Sequence, residues 1–161
     1  MATQNLLQRL DTAADTTGSS ADASNRRIEE VFIASEAITA GDFVCLDLSK
    51  SADSDKILFV KKLTATAATN LCVGVAIAAA AADENVRVCI RGMISANVAT
   101  GVAQGDRLVA SSSAGRAEEY ADVSIDEGGS ATKTVSFKPI VAFAVGAEDA
   151  NFATVYVYPQ F

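Results

Sequence analysis

Two stretches of this chain repeat each other, and that repetition limits the possible folds more than any other feature. Thr39-Ala40-Gly41-Asp42-Phe43-Val44-Cys45 returns 64 residues later as Ala103-Gln104-Gly105-Asp106-Arg107-Leu108-Val109. Each copy is a Gly-Asp turn that opens an apolar strand. Val73-Gly74-Val75-Ala76-Ile77 returns 68 residues later as Val141-Ala142-Phe143-Ala144-Val145. These copies lead into two alternating strands, Val86-Arg87-Val88-Cys89-Ile90 and Ala153-Thr154-Val155-Tyr156-Val157-Tyr158. A unit this small cannot bury its own apolar face, so the two copies are expected to pack around a shared β core. In each turn the glycine supplies positive φ and the aspartate caps the backbone.

From Arg27 onward the pattern has period 2 and is punctuated by turn residues, which reads as strands. Strands are expected at residues 28–33, 42–48, 57–60 and 71–77, with a polar hairpin-like loop at 50–55. The alanines at 78–82 suit one turn of helix or a tight loop. Residues 91–96 extend the preceding strand past Gly92, a candidate bulge. A strand at 107–110, a flexible turn at 111–115, a mobile surface loop at 122–133 and strands at 140–145 and 154–158 complete the second copy. The expected class is all-β with few short helices, a single domain over residues 31–161 with an internal duplication. Residues 1–30 read differently. Leu6, Leu7 and Leu10 could anchor about a turn and a half of helix, whereas 11–25 are polar and have almost nothing to bury. That segment is expected to be a flexible arm hinged at Arg26-Arg27 that orders on a partner; the alternative is a terminus without a role.

Composition excludes several functions. The 161 residues carry 13 Lys plus Arg against 20 Asp plus Glu, a net charge of −7, and duplex binding needs a clustered basic excess instead. Histidine is absent, which removes the commonest general base and metal ligand. Cys45, Cys72 and Cys89 are widely spaced inside apolar strands and read as buried small hydrophobes of a chain folded in a reducing cytoplasm. No signal peptide, membrane span, nucleic-acid partner, cofactor or metal is expected.

The residue groups that could carry chemistry fare poorly. Asp42 and Asp106 could meet as a pseudo-symmetric carboxylate pair, but Gly precedes Asp in both and the Asp-Thr/Ser-Gly order of such dyads is missing. Asp53 and Asp55, with Asp126 and Glu127 farther off, lack the remaining ligands and the glycine of a calcium loop. No enzyme activity is expected. Arg87 and Arg91 share one strand face with Cys89 between them, a basic stripe for an acidic partner or subunit, or else an ordinary solvent-facing surface. The alternating Tyr156 and Tyr158 suit a half-buried strand near a subunit contact.

The order Ala-Gly-Asp-strand, Val-Gly-Val-Ala-Ile-Ala-Ala-Ala, Val-Arg-Val-Cys-Ile-Arg-Gly and a second Gln-Gly-Asp-strand resembles small tailed-phage capsid decoration proteins. The resemblance covers about residues 37–111 well and the C-terminal copy loosely. It implies a compact β-barrel of β-tulip type, made in the host cytoplasm, that sits as a trimer on the outer capsid surface of the virion. There it would bind the major capsid protein and cement the shell. Arg91-Gly92 matches the family's strand-end Arg-Gly, while the 122–133 loop and the arm depart from the pattern. The alternative is another virion or surface β module, such as a fibre base or a carbohydrate-binding domain, the latter favoured by exposed aromatics on one sheet face.

Overall fold

Strand pairing turns the sequence repeat into a repeat of hydrogen bonds. The computed structural model describes residues 27–65, 71–121 and 139–158. The first copy comprises β1 (Ile28–Ala34), β2 (Phe43–Leu46), α1 (Asp53–Leu58), β3 (Phe59–Lys62), β4 (Cys72–Ala76) and β5 (Asn85–Asn97). Strands β6 (Arg107–Ala110), β7 (Ala117–Glu119), β8 (Ile140–Ala144) and β9 (Phe152–Val157) belong to the second. In the first copy β1 runs parallel to β3, and β3, β2, β4 and β5 follow in antiparallel order. The N-terminal half of β5 then returns to β1 and closes a five-stranded barrel.

The second copy has the same order and shares a strand with the first. Residues 92–97 of β5 pair with β9, which continues through β8 and β6 to β7. A parallel Val98–Ala117 bridge stands where β1 meets β3 in the first barrel. The loops correspond bond for bond. Asp42 and Asp106 each accept a backbone N–H three residues upstream, from Thr39 at 2.8 Å and Ala103 at 2.7 Å. Gly41 N–H reaches Ala76 O and Gly105 N–H reaches Ala144 O, both at 2.8 Å. Both glycines have positive φ, +89° and +96°, as the turn demands.

Each unit has its own interior, lined by small side chains because five strands close a narrow barrel. Ala34, Val44, Val60, Val73, Ala76, Val86 and Val88 fill the first. Their counterparts Val98, Leu108, Ala117, Val141, Ala144, Ala153 and Val155 fill the second. The expected shared core is therefore restricted to the junction, where Phe43, Cys45, Leu63, Cys72 and Val75, from the outward face of the first barrel, join the second unit's cluster. Burying each of the larger ones contributes about 1.5–3 kcal/mol.

Three local readings change. Residues 53–58 form α1 rather than loop and strand, with Asp53 and Asp55 in the first turn, Lys56 in the last and a Lys56–Asp53 ion pair at 2.8 Å. Residues 111–115, read as a flexible turn, are tied at both ends to the first barrel: Gly115 N–H reaches Leu63 O and Ala65 N–H reaches Ser111 O, at 2.9 and 2.8 Å. Strand β7, Ala117-Glu118-Glu119, carries no alternation by which the sequence could announce it.

Gly74 shows how closely the strands are packed: a Cβ there would lie 2.1 Å from the Cys89 carbonyl oxygen. The Gly74→Ala variant is expected to lose about 3 kcal/mol or more, read as a fall in Tm, because a backbone atom must move. Burial also pushes the thiols up, to about 11 for Cys45 and Cys89 and about 12 for Cys72. Native protein at pH 8 should accordingly leave all three thiols unlabelled by Ellman's reagent, and unfolded protein should yield three per chain.

Candidate interaction surface

The junction between the barrels centres on Asp42, 5% exposed. Besides Thr39 N–H, its carboxylate accepts a 2.7 Å hydrogen bond from Asn97 Nδ2 and faces Lys62 Nζ at 3.7 Å. Asn97 N–H also donates to Gly41 O at 2.8 Å, and Phe43 N–H donates to Gly115 O at 2.9 Å. The fit is close: a Cβ on Gly115 would sit 2.7 Å from Asp42 Oδ1, and one on Gly41 would sit 2.9 Å from the Phe152 ring. The equivalent turn on the second barrel is open. Asp106 is partly exposed, and a Cβ on Gly105 would meet nothing within 4 Å. No hydrogen bond joins Asp42 to Asp106 among the described residues.

A continuous cross-strand row crosses the outer face of the second barrel. Met93 lies opposite Tyr156, Tyr156 opposite Phe143, and Phe143 opposite Arg107. Tyr158 packs edge-on against Phe143 with ring centroids 6.1 Å apart, and the Arg107 guanidinium lies 5.5 Å from the Tyr120 ring centre. Phe143 is 38% exposed and Tyr158 49%. In the first barrel the same row runs Glu29, Cys89, Val75, Phe43. There Cys89, Val75 and Phe43 are completely buried. Equivalent positions thus meet opposite environments.

A second apolar patch lies on the β2–β3 connection. Helix α1 buries none of its residues, leaving Ile57 and Leu58 exposed, with Leu48 also exposed nearby in sequence. The base of this connection is held by Asp47, which accepts hydrogen bonds from the Ser35 and Ser49 hydroxyls at 2.8 and 2.7 Å and faces Lys61 at 3.3 Å. Lys50 Nζ sits 3.9 Å from the centre of the Phe59 ring.

The arginine stripe falls on β5. Arg87 pairs with Glu29, which also pairs with Arg27, and Arg91 is exposed opposite Ile28. Burial acts to raise the Glu29 carboxyl, and the two arginines outweigh it and bring it below the usual carboxylate range. Leu6, Leu7, Leu10 and Arg26, like the 122–133 loop, lie outside the described residues. Asp53 and Asp55 sit on α1, and among the described residues no three His, Cys, Asp or Glu side chains group as metal ligands. Sequence reasoning found Tyr156 and Tyr158 but missed Met93, Phe143, Arg107, Tyr120 and Ile57. Aligning the two copies would have exposed Arg107 and Phe143, which stand where Phe43 and Val75 stand.

No protein-family model and no curated protein matches the chain. In fold it is similar to the N base of the head fibre protein gp8.5 of bacteriophage phi29. The TM-score is 0.52 at 14% identity, over 81% of this chain and 93% of that one.

Asp47 gives the α1 connection a pH dependence. Burial alone would raise its carboxyl, but the Ser49, Ser35 and Lys61 contacts prevail and lower it to about 2. A depressed carboxyl stabilises the fold above its unfolded value near 3.9 and loses that contribution as pH falls toward the folded value. Asp47→Asn should therefore cost about 1–2 kcal/mol at pH 7 in urea denaturation. The difference from the parent protein should shrink between about pH 4 and pH 2.

Proposed function

We propose that this chain is a structural component of a tailed-phage virion, docked on the outer surface of the head through the major capsid protein. The observation that carries this reading is the likeness in fold to a phage head fibre base, which extends over 93% of that chain. The motif order from Ala40-Gly41-Asp42 to Gln104-Gly105-Asp106 supports it independently. So does the character of the described residues: two barrels share one strand, and the outward row and α1 present exposed apolar side chains. The reading assigns the chain no catalysis and no cofactor. Leu6, Leu7 and Leu10 add an apolar anchor toward the shell, and Arg27, Arg87 and Arg91 lie where an acidic neighbour could engage them.

Two versions of the role follow from different observations. The motifs support a cement that stabilises the shell, and the fold neighbour supports a base that carries a fibre. Purified shells lacking the protein separate them. Under both versions the chain should co-sediment with expanded shells at saturable stoichiometry, and failure to bind removes the capsid reading altogether. Shells that gain several degrees in heat-disruption temperature on saturation identify a cement. Shells that bind the protein with unchanged heat stability identify a base.

A further inference from the structure

The two barrels are built alike, yet one outer row is covered and the other is not. In the first barrel the row through Val75 and Phe43, continued by Leu63, is packed into the second unit's hydrophobic cluster. The covering unit approaches with its β6–β7 connection, residues 111–116, bonded to Phe43, Leu63 and Ala65. In the second barrel no described residue covers the same row, Tyr156, Phe143, Arg107 and Tyr120: Phe143 and Arg107 are exposed, and Tyr156 and Tyr120 are half-buried. The counterpart of the covering connection is the β2–β3 connection of the first barrel. The backbone confirms this correspondence: Ser49 N–H turns back to Asp47 Oδ1 and Ser113 N–H to Ser111 Oγ, both at 3.2 Å. That connection carries α1, with Ile57 63% and Leu58 47% exposed. The chain therefore has an exposed row at one end of its repeat and, at the other, the counterpart of the connection that covers such a row, lengthened by the exposed helix α1.

We propose that the open row of one copy receives the first barrel of a second copy, head to tail, with α1 lying against Arg107, Tyr120 and Phe143. The contact continues between chains the packing that joins the two barrels within one. It is heterologous, so successive copies close as a ring or run on as a fibre. It rests on the internal repeat and not on the capsid reading.

The test uses two full-length variants on exposed positions, Phe143→Asp in the row and Ile57→Asp on α1, each checked for native circular dichroism. Sedimentation of the parent protein at about 100 μM, which detects even a weak interface, should show species above the 16.6 kDa monomer. Each variant alone should associate about tenfold or more weakly, as expected for loss of a central apolar anchor. Mixed in equal amounts, they should form one-to-one heterodimers, because the intact row of the Ile57→Asp chain meets the intact α1 of the Phe143→Asp chain. A face-to-face contact through the row gives the opposite pattern: Ile57→Asp alone still associates and mixing rescues nothing. That outcome overturns the proposal, as does a monomeric parent protein. Association left intact in both variants, or a row that binds oligosaccharide while the chain stays monomeric, overturns it too.

Discussion

Strand β5 is the constraint on which everything else depends. Its N-terminal half bonds β1 on one edge and β4 on the other, and its C-terminal half bonds β9. One backbone segment is therefore the last strand of one barrel and the first strand of the next. The 13-residue length, unusual for a strand, follows from that double duty. Gly92, at φ +119°, sits where the strand passes from one barrel to the other. Because the strand is common, the outward face of the first barrel is brought against the second.

That shared strand also explains why two copies of one turn have different surroundings. Gly41-Asp42 lies beside the end of β5, so Asn97 reaches its carboxylate and Gly115 is pressed against it. Gly105-Asp106 folds with the same internal bonds and meets open space. Side chains have diverged accordingly. Phe43, Val75 and Leu63 are apolar where the row is covered. At their equivalents Arg107, Phe143 and Tyr120 combine apolar bulk with a charge or hydroxyl, the mixture enriched at protein interfaces.

The described residues present two exposed apolar patches, the outer row of the second barrel and α1. Several of their titratable groups are engaged structurally: Asp47 pins a connection, Glu29 pairs with two arginines, and the thiols are held protonated by burial. The chain is similar in fold to a head fibre base, and its motif order resembles that of decoration proteins.

Much of the fold was legible in the sequence because it depends on local rules. Period-2 alternation marked β1, β5 and β9, apolar runs marked β2, β4 and β8, and the Gly-Asp turns announced both their positive φ and their carboxylate caps, which are set within four residues of chain. The duplication was legible for the same reason, as recurring short motifs. Helix α1 was not, since its six residues are stabilised by end charges and not by an apolar stripe. Nor was β7, whose pairing with β6 is decided entirely by a partner strand. The sequence by itself determined two β units of like construction with small-residue interiors. Only the tertiary structure decided that they share a strand, that one outer row is thereby buried while Phe143 and Arg107 of its twin are exposed, and that α1 leaves Ile57 and Leu58 exposed. These are consequences of long-range hydrogen bonding along β5, which joins positions that no local pattern relates.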